Sequence, residues 1–305
     1  MKARIGIIGT GWVGTSVAFS TLLAGHAREL WLHDQRMDVA EGEALDLADG
    51  AAFYPRCDVR AVPLEQMREA DIVVLAAGRN GRPDESRLDL LRDNARIAAG
   101  IGRALSGFGG IVLVVTNPVD VLTRVVAAAS GLPPERVIGT GTLLDTARLR
   151  ERLAQRLGVA TQSIHAQVVG EHGDSSVALW TGARVAGLAL RDWPGWRAEE
   201  EPLLALQVRR AAYEVIRRKG ATNHAIGLVT AELIGCIVND EHRLLPVSRV
   251  QDSAAGVRGI ALSLPALVGA AGAGPVLEPA MDTAEREALA ASAAVLALAF
   301  ESLGG

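Results

Sequence analysis

IGIIGTGWVGTS (residues 5–16) sets a short apolar run directly before three glycines in the spacing GxGxxG. Ile5 to Ile8 has the length and β-branching of a strand, and Trp12 to Ala24 carries helical spacing. The glycines stand at the junction. Gly9 permits a tight turn, Gly11 lets backbone approach a pyrophosphate, and Gly14 lets helix and strand pack closely. The helix N-terminus behind them offers N–H groups and partial positive charge to phosphates, so Trp12 and Val13 join the candidate nucleotide contacts.

Outward from this turn, Glu29 to His33 reads as a second strand and Val39 to Ala48 as a second helix. The second strand runs into Asp34, twenty residues after Gly14. A carboxylate there accepts hydrogen bonds from a ribose diol and repels a 2′-phosphate, which points to NAD rather than NADP. Asp71 to Ala77 (DIVVLAA) and Ile111 to Thr116 (IVLVVT) are continuous apolar runs, as strands buried on both faces require. Between them, Gly78 to Arg87 (GRNGRPDESR) reads as a mobile surface loop, and Leu88 to Leu105 resumes helical spacing. Thr142 to Leu157 is a further helix with Gly158 as its C-cap. The pattern predicts an α/β fold: a Rossmann-type doubly wound parallel sheet over 1–143, then an α+β catalytic domain over 144–305. In that second half, helices are expected over 201–219, 223–238 and 284–303, and strands near 244–250 and 257–263. Asp282 and Glu285 are spaced as a capping box for the last helix.

Composition narrows the function classes. A chain of 305 residues with 49% hydrophobic and 22% charged residues can bury a sizeable core. A net charge of −4 argues against a nucleic-acid partner, so an acidic substrate has to be held by local arginines. The longest apolar runs are too short or too broken to span a membrane. Cys57 and Cys236 are far apart and form no CxxC, so neither a disulfide nor a metal site is expected, and the reading is a cytoplasmic protein.

Residue types alone give fragments of a chemistry. His172 lies between glycines in Gly170-Glu171-His172-Gly173-Asp174, Asp145 and Arg148 share a helix face, and Asn117-Pro118 follows an apolar strand. Each has a bland alternative: a structural histidine, a surface ion pair, a turn-starting asparagine. Spacing does not show that they meet.

Taken together the chain resembles the L-lactate/L-malate dehydrogenase family, on the bacterial lactate side. The resemblance covers essentially the whole sequence. It rests on GTGWVGTS (9–16), GEALDLADG (42–50), DESRLDLLRDN (84–94), TNPVDVLT (116–123), VIGTGTLLDTARLR (137–150), GEHGDSSVALW (170–180) and KGATNHAIG (219–227). It implies that His172 exchanges a proton with the substrate oxygen, as suits an imidazole near its ordinary pKa. Asp145 would orient that ring and favour its charged form. Arg148 would grip the substrate carboxylate with two parallel hydrogen bonds, and the loop residue Arg87 would close over the site and polarise the reacting carbonyl. Asn117 would sit beside the nicotinamide and the carbonyl oxygen, and Thr222 would line the far side of the substrate. Ala77, Gly78, Asn94 and Thr116 would complete the NAD site.

The sequence departs from the family pattern at one position. The residue that separates lactate from malate enzymes lies six before the loop arginine, and here it is Gly81. Glycine supplies neither a polar group nor a cation, which favours monocarboxylate 2-oxo acids and leaves room for ones bulkier than pyruvate. Arg82, with Arg79 nearby, keeps malate dehydrogenase as the alternative. Arg150 and His165 match basic positions that bind fructose 1,6-bisphosphate between subunits in bacterial relatives, and a homotetramer, or a dimer, is expected. Rival functions are a non-catalytic NAD-binding protein and a metal-dependent glycosidase, the latter disfavoured because neither cysteine adjoins His172 or Asn117.

Overall fold

The computed structural model describes residues 3–81 and 85–304, apart from the side chain of Arg87. Strand and helix alternate along the first half: β1 (Ala3–Ile8), α1 (Trp12–Ala24), β2 (Ala27–His33), α2 (Met37–Asp49), β3 (Asp58–Ala61), β4 (Ile72–Leu75), α3 (Arg87–Ala104), β5 (Ile111–Val114), α4 (Val119–Ser130) and β6 (Val137–Gly139). The strands pair in parallel in the order β3-β2-β1-β4-β5-β6. Their alternating side chains feed two cores. Ile5, Ile7, Ile72, Val74, Ile111 and Leu113 pack on one face with Val17 and Leu22 of α1. Ile8, Val73, Leu75, Val112 and Val114 pack on the other with Ala98 of α3 and Leu122 of α4. Burial on both faces explains why these strands read as unbroken apolar runs. The chain reverses its winding between β1 and β4, and the carboxyl ends of strands at such a switch point border a ligand crevice.

The second half supplies α5 (Leu143–Leu157), β7 (Ile164–Val169), β8 (Val177–Val185), β9 (Leu188–Ala189), α6 (Glu201–Lys219), α7 (His224–Val238), β10 (Arg243–Val250), β11 (Ala261–Gly269), β12 (Gly272–Val276) and α8 (Thr283–Glu301). β7, β8 and β9 make a separate antiparallel sheet. β10 instead joins the first sheet, pairing antiparallel with β6 at Ser248 opposite Gly139, so that one sheet of nine strands runs through both halves. An antiparallel bridge between Gly170 and Ser263 links the two sheets.

One expectation needs correction. The strand placed at 257–263 begins only at Ala261, because the residues before it form the β10–β11 hairpin loop, in which Gly259 N donates to Gln251 O at 2.8 Å. β3, β6, β7, β8, β9 and β12 carry no clear sequence signal, being short or irregular in composition. The capping box at α8 is present: Asp282 accepts from Glu285 N at 2.9 Å, and Glu285 accepts from Asp282 N at 3.0 Å.

Candidate active site

The nucleotide end is built by backbone fit. Gly9 takes φ +97°, and a Cβ there would stand 2.5 Å from Ala77 N. A Cβ on Gly14 would collide with the Gly9 carbonyl. Gly11 is the N-cap of α1, has open space around it, and leaves the helix start without a side-chain cap. Trp12 next to it is 62% exposed. Asp34 follows β2, with Oδ2 accepting from Thr10 N at 3.0 Å and Oδ1 from Arg36 N at 3.1 Å. Across the switch point, Thr116 Oγ1 donates to Ala77 O at 2.8 Å. Asn94, buried on α3, clamps the Arg79 backbone through Oδ1 at 2.9 Å and Nδ2 at 3.2 Å, beside Gly78. An uncapped helix N-terminus, an open glycine and a carboxylate at the end of the second strand together fit a dinucleotide. Thr10, which fixes the Asp34 carboxylate, carries no sequence signal beyond its place inside the glycine turn.

The chemistry end is assembled by α5 and the loop after β7. Thr142 and Thr146, one helical turn apart, anchor α5 to β7: Thr142 Oγ1 donates to Val168 O at 2.5 Å, and Thr146 Oγ1 accepts from Val168 N at 2.9 Å. That register sets Asp145, only 5% exposed, beside the loop that carries His172. His172 Nδ1 lies 2.6 Å from Asp145 Oδ2, so the ring donates from Nδ1 to the carboxylate. Arg148 Nη1 donates to Asp145 Oδ1 at 3.1 Å. Among the described residues, His172 Nε2 and the Nε and Nη2 groups of Arg148 have no hydrogen-bond partner. The sequence-predicted trio thus forms one continuous chain, and the pair of buried Asp145 with half-buried Arg148 is not an exposed surface ion pair.

Electrostatics favour a charged imidazole. Burial opposes the imidazolium, but the charge of Asp145, its hydrogen bond and the charge of Asp120 outweigh it and raise the His172 pKa. Asp145 likewise ends below the usual carboxylate range: burial pushes it up, and His172 and Arg148 more than offset that. The loop is tied down where it leaves β7, by the adjacent residues His172 and Glu171. The His172 backbone N–H donates to Asp120 Oδ2 at 2.7 Å, and Glu171 N donates to Ser292 Oγ on α8 at 2.8 Å.

Other expected residues are placed as follows. Asn117 is exposed at the end of β5, with Oδ1 accepting from Val119 N at 3.3 Å. Thr222 is half-buried in the link between α6 and α7, outside the hydrogen-bonded chain around His172. Gly81 is exposed, and a Cβ there would come 3.2 Å from Leu90 Cδ2. Arg82 lies outside the described residues. Arg87 opens α3 behind the N-cap Ser86, and its side chain lies outside the described set. Arg79 is not available to a substrate in this structure, because its guanidinium is engaged by Glu85 and by Asp93 at 2.6 Å. Arg150 and His165 line one cavity of about 440 Å³ together with Arg184, and Arg150 Nε already donates to Ala166 O at 2.9 Å.

Comparison with known proteins places the chain among related sequences and folds. Residues 3–139 match the family model for the lactate/malate dehydrogenase NAD binding domain, and residues 142–303 match that for the lactate/malate dehydrogenase alpha/beta C-terminal domain. The L-lactate dehydrogenase 2 of Enterococcus faecalis is 42% identical over 291 residues, covering 93% of this chain and 92% of the relative. The L-lactate dehydrogenase of Thermus aquaticus is 42% identical over 308 residues, covering 99% of each. Among solved structures, the minor L-lactate dehydrogenase of Enterococcus mundtii superposes with a TM-score of 0.96 at 38% identity, covering 99% of both chains.

Proposed function

The chain belongs to the lactate/malate dehydrogenase family, and we propose on that footing that it is an NAD-dependent L-lactate dehydrogenase, interconverting pyruvate and L-lactate. The observation that carries the reading is the hydrogen-bonded chain from half-buried His172 through buried Asp145 to half-buried Arg148, at 2.6 and 3.1 Å. NAD, when bound, supplies or receives the hydride at the alpha carbon. In reduction His172 Nε2 delivers a proton to the carbonyl oxygen, and in oxidation it takes the hydroxyl proton. Asp145 keeps Nδ1 protonated and the ring in place. Arg148 presents its remaining N–H groups to the substrate carboxylate as a fork, which lysine does not reproduce. Arg87 closes over the reacting carbonyl and excludes water. Asn117 stands beside the same oxygen, and Thr222 lines the opposite side. Gly9, Gly11, Trp12, Val13, Gly14, Asp34, Ala77, Gly78, Asn94, Thr116 and Asn117 make the NAD site.

Substrate choice follows from what is missing. Gly81 brings no side chain, and Arg79 is held by Glu85 and Asp93, so neither supplies a cation for a second carboxylate. This supports monocarboxylate 2-oxo acids, with space for groups larger than methyl; Arg82 would be the residue behind any malate activity. The test is kcat/KM with NADH for pyruvate, 2-oxobutyrate, 2-oxoisocaproate and oxaloacetate. Pyruvate or a longer monocarboxylate should lead, and a lead for oxaloacetate refutes the assignment.

Four finer points belong to the same reading. The catalytic half begins at residue 144, supported by the start of α5 at Leu143. The setting that belongs to this reading is cytoplasmic, in keeping with a sequence of only two widely separated cysteines. The assembly is a homotetramer, or a dimer, with exposed Phe19 and Leu23 on α1 and Leu228 on α7 as apolar surface to cover. Arg150, His165 and Arg184 in one cavity support a bisphosphate effector. Titrating fructose 1,6-bisphosphate at low pyruvate should lower the apparent KM, and an unchanged KM removes the effector site.

A further inference from the structure

Asp120 is a buried carboxylate that the reaction described above does not use. It stands in the first turn of α4, three residues after Asn117, and is 2% exposed. Its Oδ2 accepts the backbone N–H of His172 at 2.7 Å. Its Oδ1 is buried without a hydrogen-bond partner among the described residues, and so is the hydroxyl of Ser248 on β10. Ser248 Oγ lies near enough to favour the charged carboxylate without completing a hydrogen bond. Burial drives the Asp120 pKa up to about 6, opposed by Ser248, by the His172 N–H and by the His172 charge, and reinforced by Glu171. The imidazole itself meets Asp145 through Nδ1, and Asp145 and Arg148 of α5 respectively raise and lower its pKa.

An amide would accept the same N–H without the cost of a buried charge. A carboxylate at this point therefore does something that geometry alone does not require. We propose that Asp120 is a positioning residue for the proton exchange, holding the His172 backbone on α4 and acting as a second negative charge that, with Asp145, keeps the imidazole protonated. Because Asn117 stands immediately before the Pro118 N-cap of α4, the segment that carries Asp120 would also set the second group expected at the reacting oxygen. The inference rests on the assignment of His172 as the proton-exchanging group.

The test is an NMR titration of the His172 imidazole in the ligand-free chain, with His172→Asn assigning its resonance among the six histidines. In Asp120→Asn the N–H acceptor stays and the charge goes, so the midpoint should fall by about half a pH unit or more. The kcat/KM profile for pyruvate reduction should move the same way, with the KM for NADH unchanged. Ser248→Ala, which removes the group favouring the charged carboxylate, should shift the midpoint in the same direction by less, and it serves if Asp120→Asn does not fold. A wild-type midpoint in either folded variant overturns the proposal. Failure of the wild-type chain to reduce any 2-oxo acid would instead overturn the assigned reaction, and the ligand-free titration separates the two outcomes.

Discussion

At the scale of single residues, the raised pKa of His172 fixes the direction of the pH response. Reduction needs the imidazolium, so kcat/KM for pyruvate should be flat at low pH and fall as pH rises through a midpoint above that of an ordinary histidine. Oxidation of lactate needs the neutral ring and should rise through the same midpoint. Asp145→Asn removes the largest stabilising charge and leaves one acceptor oxygen where the carboxylate uses two, one for His172 and one for Arg148, so the midpoint should move down and kcat should fall about 10²–10⁴-fold. A profile unchanged by that substitution would show that Asp145 does not set the imidazole. The sequence names His172, Asp145 and Arg148 through motif resemblance, but their meeting depends on Thr142 and Thr146 gripping β7, and no spacing rule reports that. Asp120 lies inside the quoted TNPVDVLT stretch. Its role stays hidden there because the contact it makes is with a backbone 52 residues away.

At the scale of elements, α8 shows how a local signal can understate a residue. Asp282 and Glu285 are legible as a capping box, yet Glu285 also accepts from Trp180 N at 2.6 Å and Thr181 N at 3.0 Å on β8. Asp282→Ala should cost about 1 kcal/mol, the usual loss of a cap. Glu285→Ala also strips two β8 N–H groups of their acceptor, so its cost should exceed that of Asp282→Ala by about 1–3 kcal/mol. Urea denaturation of the two variants checks the order, and equal midpoints would mean that the strand contacts contribute nothing. Helices with glycine or serine ends are well read from sequence, α1, α5 and α6 nearly to the residue. Strands of the second half are not, because β7 and β8 place Gln167, Arg184 and Gly182 among their apolar residues and blur the alternation.

At the scale of the whole molecule, the parallel half of the sheet is legible because each of its central strands is buried on both faces. The joining of β10 to β6 is not, since it is a pairing between residues more than a hundred positions apart. That seam bears on how the chain can be divided. Residues 1–143 contain every strand of the nucleotide-binding half, but cut from the rest they would bare the outer side of β6, a row of unsatisfied N–H and C=O groups open to any passing strand. The fragment, although it corresponds to a recognisable binding unit, should self-associate at micromolar concentration by light scattering, whereas the full chain should unfold in one cooperative step. A soluble monomeric fragment would show that β6 can end a sheet safely. Otherwise the second half is, for the first, a built-in guard against aggregation as well as the bearer of the histidine proposed to exchange the proton.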